Sequence, residues 1–164
     1  MANSGVALGT EQAQLAAMFH TDDYAADPGK LADLFDAGRL DATLLQVLLP
    51  MVWRNMLDDC PLDVETWRRL FLAAPFTIDS RLVRSRRRRR RLFRGAIGAN
   101  REGLSWTTNR NIAWYFARHR QAGGQRGQVW TAWVPAQRFL ARLSDEDEFV
   151  VDARGLPMRS LGTG

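Results

Sequence analysis

The residues with chemical potential lie between positions 91 and 156, which open with RLFRGA, pass through GLSWTTNRNIAWYFA and QVWTAWVP, and end with DEDEFVVDARGL. Arg94 follows a short apolar run, Ser105 and Thr107 stand just beyond Gly103, and Glu146 and Glu148 open another apolar run. A guanidinium is a planar fork of donors that pairs bidentately with phosphate or ribose oxygens. Carboxylates stabilise positive charge as it develops on a sugar during glycoside cleavage. Together these groups have the chemistry to hold an anionic dinucleotide and to break a glycosidic bond within it.

Positioning such groups needs strands and a helix. Leu92-Phe93 running into Arg94-Gly95 predicts a short strand and a glycine turn. Leu104 to Thr107 predicts a second short strand. Thr108 or Asn109 is placed to cap a helix reaching about Gln121, with Ile112, Ala113, Phe116 and Ala117 inward. Gln128 to Pro135 is apolar on both faces and predicts an internal strand; Phe139 to Ala141 predicts one helical turn. Glu148 to Asp152 predicts a last strand, with a frayed tail after Arg154.

The order of these pieces resembles the Arg–Ser–Glu class of mono-ADP-ribosyltransferases, the cholera-toxin-like and clostridial-toxin-like enzymes. Arg94 matches the arginine of that family's first core strand, Ser105-Trp106-Thr107 its Ser-Thr-Ser strand, and Glu146-Asp147-Glu148 its Glu-x-Glu motif. The resemblance covers residues 91–156. It implies NAD as substrate, no metal, and transfer of ADP-ribose to protein arginine side chains with release of nicotinamide. By that likeness Arg94, Gly95, Ser105, Thr107 and Trp106 bind NAD. Glu148, Glu146 and Ser105 are catalytic: Glu148 faces the nicotinamide ribose, Ser105 orients it, and Glu146 positions the acceptor guanidinium. Trp106, Tyr115, Phe116 and Trp130 are candidate stacking surfaces. The same residues suit NAD glycohydrolysis, with water as acceptor.

The remainder reads as scaffold. Helices are predicted from Thr10, with Leu15, Met18 and Phe19 on one side; from Asp27-Pro28, ending at Gly38; over 40–57, kinked or divided at Pro50; and from Asp63 to Pro75, with Trp67, Leu70 and Phe71 on one face. The expected fold is α+β: a helical segment over 1–80, a basic connector over 81–91, and a small split mixed β-sheet of ADP-ribosyltransferase type over 92–164.

The net charge of +5 is concentrated in the six consecutive arginines Arg86 to Arg91, and the rest of the chain is close to neutral. The run is either a solvated linker or a contact for a polyanion, and a non-catalytic nucleic-acid-binding protein acting through it is the rival from another class. Cys60 is the one cysteine, and with His20 and His119 it makes no zinc set. His119 is expected to be an exposed polar residue. There is no apolar stretch of roughly 18 residues for a membrane span, and MANSGVALGTEQ has no secretory signal pattern. A cytoplasmic location is expected. The resemblance also suggests a bacterial or phage toxin or effector, with a neutralising partner.

Overall fold

A computed structural model describes residues 13, 14, 17, 27–55, 62–83, 88–119, 121–122 and 125–163. The helix expected from Thr10, together with His20, Cys60, Arg86 and Arg87, lies outside the described residues. The chain forms two compact units, Met1–Leu82 and Val83–Gly164. It carries both helices and sheet, so its class is α+β. No helix among the described residues is long and apolar enough to cross a membrane.

The first unit holds α1 (Pro28–Asp36), α2 (Ala42–Asn55) and α3 (Val64–Ala73). Both predicted caps form: Asp27 Oδ1 accepts from the Lys30 amide at 2.9 Å, and Asp63 Oδ1 from the Thr66 amide at 2.7 Å. Helix α2 runs unbroken through Pro50, so the expected division there does not occur. Its buried faces (Leu44, Leu45, Leu48, Leu49, Val52) give the helix a packing stabilisation that outweighs one lost backbone bond. Trp53 meets Trp67 and Phe71 edge-on at 5.0 and 5.3 Å.

The unit ends in a hairpin that replaces part of the expected connector. Strands β1 (Thr77–Ile78) and β2 (Arg81–Leu82) pair around Asp79 and Ser80, whose φ values are 49° and 63°. Two central residues at positive φ match the twist of a two-residue hairpin turn. The basic run also loses residues to structure, since Arg90 and Arg91 open strand β3 (Arg90–Ala96).

The second unit continues with β4 (Ser105–Thr107), α4 (Arg110–His119), the hairpin strands β5 (Gln121–Ala122) and β6 (Gln125–Arg126), then β7 (Gln128–Val134), β8 (Phe139–Leu143), β9 (Glu148–Val151) and β10 (Met158–Thr163). Its sheet order is β10-β7-β3-β4-β9-β8, and these five pairings are antiparallel. Two expectations are corrected. Phe139 to Ala141 belongs to strand β8, because Arg142 and Leu143 pair with Phe149 and Glu148 and draw the run into the sheet. The tail is not frayed, because β10 covers what would be the open edge of β7.

Helix α4 packs on β3 and β7. Ala113, Ala117 and Val129 form the seam, with Phe93, Trp114 and Leu161 around it. Strand β3 does not turn at Gly95, as the sequence suggested; it continues to Ala96, with Gly95 opposite Val129. Gly95 is needed for a different reason. A Cβ there would fall 2.0 Å from the Ala113 carbonyl oxygen and 2.5 Å from the Ala117 amide nitrogen. The helix backbone therefore rests directly on the strand backbone.

Asp152, just past β9, is buried and accepts from Arg138 Nη1 at 2.7 Å and from Arg154 Nε at 3.0 Å. Burial by itself raises its carboxyl, but the bonds from Arg154 and Arg138 and the Arg154 charge outweigh that and hold it below the ordinary 3.8.

Two predictions follow from this packing. Gly95→Ala should lower the unfolding free energy by about 1–3 kcal/mol or more, as overpacking does; unchanged denaturant midpoints would contradict the seam. A depressed Asp152 contributes stability that is complete above pH 3.8 and drains away as pH falls through the folded-state value. Wild type should therefore lose more unfolding free energy than Asp152→Asn between pH 6 and pH 3, read by denaturant titration, and equal losses would rule the linkage out.

Candidate active site

The site grows from the parting of β3 and β4. The two strands are registered at one pair, Phe93 with Thr107. Beyond it the Arg94 side chain takes over. Its Nη1 donates to the Ser105 carbonyl at 2.8 Å and its Nε to the Asn100 carbonyl at 3.1 Å. The guanidinium lies flat against Gly103, where a Cβ would approach Nη2 to 2.2 Å. Any side chain there would require the guanidinium to shift. Arg94 thus fixes the loop between β3 and β4 and holds a positive charge at the place where the strands separate.

The acidic turn is tied down from the other side. Residues 144–147 form a turn between β8 and β9, with Asp147 at φ 46°. The Asp147 carboxylate accepts from the Thr107 hydroxyl at 2.9 Å and from the Thr108 hydroxyl at 2.7 Å. Thr107 Oγ1 in turn accepts from the Asn109 amide at 3.0 Å, at the start of α4. Asn109 Oδ1 accepts from the Asn111 amide at 2.9 Å. One hydroxyl thus links strand, turn and helix.

Between these two ties lies a cleft of about 580 Å³. Arg94, Gly95, Ser105, Thr107, Glu146 and Glu148 all line it. The sequence places Glu146 beside Glu148 by strand alternation. The structure brings them together differently, since β9 begins at Glu148 and Glu146 lies in the turn. The left-handed Asp147 between them, not a period of two, aims both at the cleft.

The aromatic candidates divide. Trp106 borders the cleft, but the residue is 1% exposed and its indole N–H donates to the Gly103 carbonyl at 2.8 Å, so the ring belongs to the core. Trp130 donates to the Ala96 carbonyl at 3.1 Å and is not among the lining residues. Phe116 does line the cleft, whereas Tyr115 faces a separate basin.

Sequence reasoning missed part of the wall. Ile112, expected inward, and His119, expected only as an exposed polar residue, face the cleft beside Phe116, which was already a stacking candidate. Spacing of four and three residues puts this trio on one helix stripe, a signal present in the sequence. His119 is exposed, as expected, and donates from Nδ1 to the Tyr115 carbonyl at 2.7 Å.

A cation, two carboxylates, hydroxyls and an apolar wall of Phe93, Ile97, Ile112 and Phe116 share one concave site. Its size falls within the usual range for small-molecule pockets. No family model, curated protein or solved structure matches the chain.

Asp147→Ala removes both hydroxyl bonds and places a residue poorly suited to positive φ at the turn. Amide hydrogen exchange over 144–148 should speed up by about tenfold or more, in line with the roughly 1–3 kcal/mol associated with lost partners and backbone strain. Unchanged exchange would show that the turn is held by something else.

Proposed function

We propose that the second unit is an NAD-dependent mono-ADP-ribosyltransferase that modifies protein arginine side chains and releases nicotinamide. The observation that carries the reading is the convergence of Arg94, Ser105, Glu146 and Glu148 on one cleft. The four come from four separate places: β3, β4, the turn after β8, and β9. Their types and order are those of the family that the sequence resembles. This reading rests on the chemistry of the site.

In this reading the dinucleotide phosphates lie toward Arg94, and the nicotinamide ring packs against the apolar wall. The bond between the ribose anomeric carbon and the nicotinamide nitrogen breaks, and nicotinamide leaves neutral with the bonding pair. The ribose becomes oxocarbenium-like. Glu148, half-buried on β9, faces that positive charge and stabilises it more than it stabilises the ground state. Ser105 stands on the neighbouring strand, where it orients the ligand or the carboxylate. An arginine nitrogen of the acceptor then attacks the anomeric carbon and loses one proton to solvent or to Glu146. Glu146 is exposed, as a group that must meet a second macromolecule has to be.

The test is nicotinamide release from NAD by the full chain, with protein-bound and free ADP-ribose counted separately. Glu148→Gln should lower release by about 10²–10³-fold, the scale of losing one charge-stabilising group. Glu146→Gln should reduce the protein-bound product more than the free one. If wild type leaves NAD intact with every arginine-containing acceptor, the proposal fails. If all ADP-ribose appears free, hydrolysis replaces transfer.

A further inference from the structure

The outer face of α4 carries residues that, His119 apart, do not line the cleft. A second basin of about 450 Å³ is lined by Asn111, Trp114, Tyr115, Arg118, His119 and Thr163. None of these is a carboxylate. Tyr115 is 58% exposed, its ring tilted by 35° against His119 with centroids 4.2 Å apart and met edge-on by Phe116 at 5.5 Å. The Arg110 guanidinium lies over Trp114 at 5.7 Å. Arg110 and Arg118 bracket this aromatic row on one helix. The wider sequence agrees: between Glu102 and Asp145 it holds Arg110, Arg118, Arg120, Arg126, Arg138 and Arg142, and no Asp or Glu.

One exposed ring, Tyr115, beside the half-buried Trp114 and two guanidiniums, in a concave site free of carboxylates, matches one ligand chemistry. Planar bases stack on the rings while phosphates meet the cations. A folded acidic protein would use the cations and leave the aromatic faces unmatched. Duplex DNA hides its base faces and would reach only the arginines.

We propose that this face of α4 binds single-stranded nucleic acid, with a base stacked on Tyr115 and the adjoining phosphate on Arg118. The Arg86–Arg91 run has no interleaved aromatic in its sequence and is not part of the proposed surface. It does not depend on the reading of the cleft, so binding is measured without NAD.

The experiment titrates the full chain into fluorescein-labelled oligothymidylate and oligouridylate of about 12 nucleotides, a length within the span that such sites cover. The corresponding duplex is run alongside. Single strands should bind about tenfold more tightly than duplex. Tyr115→Ala should weaken single-strand binding by about tenfold, and Tyr115→Phe, which keeps the ring, should restore it. Arg118→Ala should reduce the slope of log K against log salt by about 0.7, the single-strand value for one phosphate contact. A variant with Arg86 to Arg89 changed to glutamine, which leaves the strand residues Arg90 and Arg91 in place, should keep the dependence on Tyr115. Duplex binding equal to single-strand binding, unchanged affinity in Tyr115→Ala, or complete loss in the arginine-run variant would each overturn the proposal. So would displacement of the oligonucleotide by polyglutamate at matched charge, which would point to an acidic protein instead.

Discussion

The second unit depends on one cation held by two backbone carbonyls. Arg94 bonds to the carbonyls of Asn100 and Ser105 where β3 and β4 stop pairing. A sheet whose strands part leaves polar backbone groups without a ladder, and such groups cost free energy unless something satisfies them. A guanidinium has five donors in a fixed fork, enough to satisfy carbonyls and still present a charged face. Hydrogen bonds to a charged donor contribute about 1.5–3 kcal/mol each. The same residue therefore opens the cleft, stabilises the opening and gives it a positive charge. Gly103 completes the arrangement, because any side chain there would displace the guanidinium.

The opposite wall is held by a second polar knot of different character. Thr107 is 6% exposed, donates to Asp147 and accepts from the Asn109 amide, so one hydroxyl uses both its donor and an acceptor site. Asp147 lies at a positive φ that aspartate tolerates better than most residues. The two knots act on different strands but meet in β4, where Ser105 is gripped through its carbonyl and Thr107 through its hydroxyl. A three-residue strand is thereby fixed at both ends. Such fixing ties β4 to Arg94 on one side and to the turn that carries Glu146 on the other.

Where local chemistry decides conformation, the sequence was readable. Asp27 and Asp63 announce their helices because a carboxylate three residues before an orphan amide has one obvious use. Strands β4, β7 and β9 follow from alternation and apolar runs. The set Arg94, Ser105, Glu146 and Glu148 was legible by type and order. What escaped depends on partners distant in sequence. Strand β10 is a polar, glycine-containing stretch that becomes a strand only because β7 offers it an edge. Phe139–Leu143 is short enough to be helix or strand until β9 chooses. Arg90 and Arg91 read as repelling charges, yet Arg91 Nε donates to Thr131 Oγ1 at 3.1 Å and Arg90 lies over Phe149, which absorbs them into the sheet. Gly95 was legible as necessary but not for its reason, since the helix that demands it is built from residues 110–119.

Helix α4 shows how ten residues can serve three surfaces. Successive side chains are about 100° apart, so a helix packed on one narrow stripe leaves most of its circumference for other uses. Here the stripe is narrow because its residues are small: Ala113 and Ala117 lie against Gly95 with backbone nearly touching backbone. A wider apolar stripe would have drawn Ile112 and Phe116 into the core. Instead Ile112 and Phe116 line the cleft, Trp114 borders the seam, and Tyr115 and Arg118 face outward. The smallness of two alanines and a glycine thus leaves the Phe116 and Tyr115 rings outside that seam. The lack of any carboxylate on this helix gives that freed surface one sign of charge.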